Sequence, residues 1–156
     1  MQTVTRRFFL SALAAVSVSL APAVHANESV ASKDEAIAMV KKAIAAAKAQ
    51  GKDKVIADVN AKNPAYVDRD LYIYIADEKG NVLAHALNPK LVGRDLNQLK
   101  DADGKPFVTE IIKIGASGKP GWVEYRWPNP ITKQIDDKLT YVEKADGVIY
   151  CAGVYK

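Results

Sequence analysis

Two pairs of aromatic residues at alternate positions, Tyr72-x-Tyr74 and Tyr125-x-Trp127, lie in strand-like segments, and His85 and Lys138 are the sharper candidates for a cationic donor among apolar strand residues. Alternate side chains share a face of an extended chain, so each pair would present rings with a hydroxyl or an indole N–H at the tip. That chemistry suits the wall of a pocket for a small polar ligand, and equally a core cluster whose polar tips are satisfied. Lys138, two residues before Thr140, could aim its ammonium at a carboxylate or lie at a solvated strand start. His85 alternates with Leu83 and Leu87 on an apolar face, as a satisfied core histidine or as a ligand contact. Arg94, within Leu91-Val92-Gly93-Arg94-Asp95-Leu96, suits a bidentate hold on a carboxylate, or a loop cap made with a neighbour such as Asp95.

The groupings that mark an enzyme are missing. The sequence has 2 histidines, His25 and His85, and no Gly-x-Ser-x-Gly turn, so a triad or a histidine metal site would rest wholly on His85. Asp101-x-Asp103-Gly104 is a fragment of a calcium loop without its remaining acids. Asn27-Glu28-Ser29 matches a glycosylation sequon but falls beside a bacterial-looking signal and is discounted. The single cysteine, Cys151, sits in the apolar run Val148 to Tyr155 and reads as a small buried hydrophobe, with no partner for a disulfide and no Cys-x-x-Cys-His for haem. No metal and no cofactor are expected.

The elements that must position these side chains read in order. Ser32-Lys33-Asp34-Glu35 is a capping box, and Ile37, Val40, Ile44 and Ala47 recur at helical spacing up to Gly51. Lys52 to Val59 forms a short second helix closed by Asn63-Pro64. From Asp70 the period changes to two: Leu71, Ile73 and Ile75 alternate with the tyrosines, Asp77-Glu78-Lys79-Gly80 turns, and Val82 to Leu87 returns as a hairpin. After a polar stretch, Pro106 to Ile114 suits a helix. Strands follow near Gly121 to Trp127, Lys138 to Lys144 and Val148 to Tyr155, joined by Pro128-Asn129-Pro130 and Ala145-Asp146-Gly147. The expected fold is α+β, a long N-terminal helix on one face of a five-stranded antiparallel sheet with a helical crossover.

The amino terminus reads as an export signal. Met1 to Arg7 is basic, Phe8 to Leu20 is apolar, and cleavage is expected after Ala26. The apolar run, about 20 Å as a helix, is short of the hydrocarbon core of about 30 Å. Thr5-Arg6-Arg7-Phe8-Phe9-Leu10 resembles a twin-arginine signal, with an ordinary Sec signal as the alternative. Residues 1–26 are thus expected to leave, and 27–156 to fold as one domain. Their loss removes two arginines and no acid from 22 basic and 18 acidic residues, leaving a net charge of +2. That near-neutral balance argues against nucleic acid or an anionic membrane as partner. With no later apolar run of membrane-spanning length, the mature chain is expected to be soluble and periplasmic.

Three blocks resemble the first half of the single Cache domain: Asp70-Leu71-Tyr72-Ile73-Tyr74, Gly80-Asn81-Val82-Leu83-Ala84-His85, and Asn88-Pro89-Lys90-Leu91-Val92-Gly93-Arg94-Asp95-Leu96. Three more resemble its second half: Gly121-Trp122-Val123-Glu124-Tyr125-Arg126-Trp127-Pro128-Asn129-Pro130, Lys138-Leu139-Thr140-Tyr141-Val142, and Cys151-Ala152-Gly153-Val154-Tyr155. The resemblance implies a PAS-like extracytoplasmic sensor that binds a short organic acid or amino acid. It places Tyr125, Trp127, Lys138 and Tyr141 on pocket-lining strands and His85 beside the pocket loop. Most members lie between membrane helices and feed a signalling domain; the sequence departs from that pattern, with neither a second hydrophobic segment nor an output domain.

The function expected is therefore a non-catalytic binding module for a small carboxylate or amino acid. It would act as a monomer or weak dimer that reports to a membrane-bound sensor kinase or chemoreceptor. One alternative is an interaction protein with a vestigial pocket, docking on a receptor or enzyme. Another is an enzyme with His85 as general base.

Overall fold

The capping box forms as written. In the computed structural model, which describes residues 30–156, the Ser32 hydroxyl accepts the Glu35 N–H at 3.3 Å and the Glu35 carboxylate accepts the Ser32 N–H at 2.6 Å. This starts α1, Lys33–Gln50, whose buried stripe is Ala36, Met39, Val40, Ala43, Ile44 and Ala47. Ile37, expected in that stripe, is only half-buried. Helix α2, Lys52–Asn60, packs on α1 through Val55 and Val59. Asn63-Pro64 then opens a single 3-10 turn, where the Asn63 side chain accepts the Ala65 N–H.

The strands are β1 (Val67–Asp68), β2 (Leu71–Asp77), β3 (Val82–His85), β4 (Gly121–Pro128), β5 (Ile135–Ala145) and β6 (Val148–Tyr155), with α3 (Phe107–Ser117) between β3 and β4. Every pairing is antiparallel, in the order β3-β2-β6-β5-β4, and β1 adds two residues against the start of β2. The fold is thus the expected α+β arrangement. Strand β5 begins three residues before the expected Lys138, because Ile135 to Asp137 continue the ladder with β4.

The sheet is covered on both faces rather than one. Leu71, Ile73 and Ile75 pack with α1 and α2, whereas Tyr74, Val123 and Cys151 pack with Phe107, Val108 and Ile111 of α3. Strand β6 is accordingly buried over its whole length. Helix α3 rides so close to it that a Cβ on Gly115 would lie 2.5 Å from Ile149 Cδ1.

The loop that crosses from β3 to α3 is pinned by Asp101. Its carboxylate accepts the N–H groups of Asp103, Lys105 and Arg126, so the calcium-like fragment serves as a backbone hub. Among the described residues no helix is long and apolar enough to cross a membrane. The export signal, its cleavage point at Ala26 and the sequon lie outside the described residues.

Candidate functional site

Pairing register decides which side chains meet. Tyr74 pairs with His85 and with Cys151, Tyr125 with Lys138, and Lys138 with Tyr155. Paired residues share a face, so Tyr72, Tyr74, His85, Tyr125, Trp127, Lys138 and Thr140 all look toward α3. Together with Leu91, Leu96 and Phe107 they line a cleft that opens on that face of the sheet.

Lys138 is the centre of this cleft. It is 2% exposed, and among the described residues it makes no hydrogen bond or ion pair. Its Nζ lies 3.7 Å from the centre of the Tyr72 ring and 4.8 Å from that of Tyr155. Cation–π contacts of this kind recover part of the lost hydration but leave the ammonium's N–H groups without an acceptor. Burial therefore lowers its pKa to about 7, against the pull of Asp70 toward the charged form. The ammonium has room only because position 153 is glycine: a Cβ there would stand 2.3 Å from Lys138 Cε and 2.3 Å from Thr140 Oγ1.

The hydroxyls around it divide into committed and available donors. Tyr155 donates to the Pro128 carbonyl at 2.8 Å, so at 3.3 Å the Tyr72 hydroxyl must donate to the Tyr155 oxygen. Thr140 donates to the Tyr125 hydroxyl at 3.0 Å, which leaves the Tyr125 proton available. Tyr74 has a buried hydroxyl with no partner. Burial holds the pKa values of Tyr74 and Tyr125 well above the ordinary phenol range, so both remain donors.

His85 is neutral. Its Nδ1 accepts the backbone N–H groups of Asn88 at 3.0 Å and Leu87 at 3.3 Å, which puts the ring proton on Nε2. Burial, with the Lys138 charge behind it, lowers its pKa to about 4. The ring lies 5.1 Å from that of Tyr72, centre to centre. His85 is thus a fixed N–H donor on the cleft wall.

The rest of the wall is apolar. Phe107 stacks on Tyr125 with ring centres 4.1 Å apart, and Trp127 meets Phe107 edge-on at 5.4 Å. Cys151 lines the cleft floor, its thiol pKa raised by burial, which agrees with an inert small hydrophobe. No aspartate or glutamate lines the cleft.

Two expected site residues stand elsewhere. Arg94 is exposed and outside the cleft; its backbone carbonyl accepts the Val82 N–H, so the loop is held by main chain and not by the guanidinium. Tyr141 is odd in parity to Lys138 and Thr140, so it points to the helical face, where it meets Trp122 at 5.2 Å and donates to Glu143 at 2.8 Å. Conversely, Phe107, Thr140, Tyr155 and Gly153 were not singled out from the sequence. Alternation from Lys138 and Tyr125 was the signal for Thr140, and a glycine within an apolar strand was the signal for a close approach.

The model of the family Single Cache domain 2 matches residues 12–150. The chain is 34% identical over 90 residues to the methyl-accepting chemotaxis protein McpP of Pseudomonas putida, covering 56% of this chain and 16% of that protein. It is 33% identical over 78 residues to the sensor histidine kinase MctS of Rhizobium johnstonii, covering 50% of this chain and 17% of that protein. The matched region thus spans about a sixth of these curated relatives. A solved Cache chemosensory domain, described for its carboxylic acid recognition, superposes with a TM-score of 0.62 at 26% identity, over 78% of this chain and 86% of that one. The sheet order, the two-sided packing and the sequence match lead to one conclusion: the chain belongs to the single Cache domain 2 family of extracytoplasmic sensor domains.

Proposed function

We propose that this domain is a sensor module that binds a short monocarboxylate in the cleft on the sheet, without catalysis, and passes occupancy to a signalling partner. The observation that carries the reading is Lys138, a buried ammonium that no carboxylate of the described residues contacts in a hydrogen bond or ion pair. A carboxylate there would take the cation as counter-ion and receive hydrogen bonds from Tyr74, Tyr125 and His85 Nε2–H. With one cation and no acid in the lining, an amino acid's ammonium or a second carboxylate would be left unpaired in an apolar wall. The carboxylic acid recognition described for the solved relative supports the same class.

His85 does not suit the role of general base, because the nitrogen that carries its lone pair is already occupied by two backbone N–H groups. The kinship with a chemotaxis receptor and a sensor kinase makes a membrane-bound member of either class the proposed partner. Export under the signal in residues 1–26, with cleavage after Ala26, is part of the same proposal; the mass of the mature protein checks it. Thermal-shift measurements against acetate, propionate, pyruvate, succinate and glycine test the ligand class. The three monocarboxylates should raise Tm and the other two should not, whereas no shift with any of them at millimolar concentration would contradict the reading.

A further inference from the structure

Asp70 occupies the turn between β1 and β2, and its carboxylate is buried, 1% exposed. One oxygen accepts the N–H of Ala31 at 2.8 Å, the residue before the cap of α1. The other oxygen has no hydrogen-bond partner among the described residues. The neighbouring Arg69 grips the same entry from outside, donating to the Val30 carbonyl at 3.3 Å and pairing with Glu35. Residues 30–35 are therefore fastened to the sheet through two consecutive side chains.

A buried carboxylate with an unpaired oxygen needs a nearby positive charge. Asp70 lies two residues before Tyr72, whose ring holds Lys138 Nζ at 3.7 Å, and the ring of Tyr155, the residue paired with Lys138, stands 4.8 Å from the same ammonium. The negative charge of Asp70 favours protonated Lys138 and holds back ionisation of Tyr155.

We propose that Asp70 is the relay between the ligand cleft and the start of α1: an anion seated on Lys138 takes over the cation's field and loosens the hold of Asp70 on Ala31. A second negative charge competes for the one cation and repels the Asp70 carboxylate. The bond through which Asp70 can respond is the one to the Ala31 N–H. This relay rests on the carboxylate reading given above.

Hydrogen exchange of the whole protein, with and without saturating propionate, tests it, with binding followed in parallel by calorimetry. Amides 31–36 should exchange several-fold faster in the wild type once propionate is bound. In Asp70→Asn, whose amide oxygen can still accept the Ala31 N–H but carries no charge, they should not respond to propionate that calorimetry shows to be bound. Unchanged or slowed exchange over 31–36 in the propionate complex overturns the relay and leaves the carboxylate reading intact, as does a full response in Asp70→Asn. Absence of binding heat in the wild type removes the carboxylate reading and the relay with it. Should Asp70→Asn fail to fold, the wild-type comparison alone decides.

Discussion

Lys138 Nζ lies 3.7 Å from the centre of the Tyr72 ring, and no carboxylate of the described residues pairs with it. A buried cation held against a phenol face is a costly arrangement in the absence of an anion, since burial penalises the charge and the ring offsets only part of that penalty. On the proposed reading, the site trades stability of the ligand-free domain for the ability to hold an anion.

Replacing Lys138 by Met should separate these two effects. The variant should be more stable than the ligand-free wild type by about 1–4 kcal/mol at pH 7, because an unpaired buried charge is exchanged for an apolar chain of similar length. It should also lose propionate affinity by more than about 100-fold. Denaturant melts and calorimetry on the same preparation check both.

Binding should weaken with rising pH. Lys138 titrates at about 7 in the folded chain, against an ordinary 10.5, so above pH 7 a carboxylate must bring a proton with it and affinity should approach a tenfold fall per pH unit. The stability of the empty domain moves the other way. Between about 7 and 10.5 the unfolded chain holds the proton that the folded chain has released, so stability rises with pH across that window. His85, lowered from 6.5 to about 4, adds a loss of stability as pH falls through that lower window. Melts from pH 4 to 10 and propionate titrations from pH 6 to 9 check the two slopes.

Tyr74→Phe removes a buried hydroxyl that has no hydrogen-bond partner among the described residues. The empty domain should hold or gain up to about 1 kcal/mol, since a buried unsatisfied donor is deleted. Propionate affinity should fall about 10- to 100-fold, in line with a hydrogen bond to a charged group. An affinity unchanged within twofold would show that Tyr74 does not reach the ligand.

Gly153→Ala places a Cβ 2.3 Å from both Lys138 Cε and Thr140 Oγ1. The variant should be destabilised by about 1–3 kcal/mol through overpacking. Binding should fall with it as the ammonium is displaced. The adjacent Ala152→Gly, whose side chain lies in the opposite core cluster, should lower stability while leaving affinity within about threefold.

Much of this arrangement was legible in the residues because it rests on local periodicity. The capping box at Ser32, the two-residue alternation of Leu71 to Ile75 and the turn at Asp146-Gly147 each need only near neighbours to be recognised. Tyr72, Tyr74, His85, Tyr125, Trp127 and Lys138 were found because rings and cations stand out in apolar strands. Tyr141 went to the wrong face because the resemblance assigned it to a strand without its parity, which Lys138 and Thr140 already fixed. Arg94 looked like an anion binder by residue type alone, and only the main-chain bonding of its loop shows it to be outward. Asp70 was not visible at all, since a lone acid in a turn reads as solvated, and Gly153 within its strand signalled a close approach but not which side chain makes it. Both gain meaning only from β6, which brings together residues far apart in sequence.

The central claim is that Lys138 is the counter-ion for a short monocarboxylate, and calorimetric titration of propionate into the wild type and into Lys138→Met at pH 6.5 tests it most directly. The account expects saturable binding of one propionate per chain in the wild type and no detectable heat in the folded variant. Equal binding by the two proteins, or none by either at millimolar propionate, would contradict it.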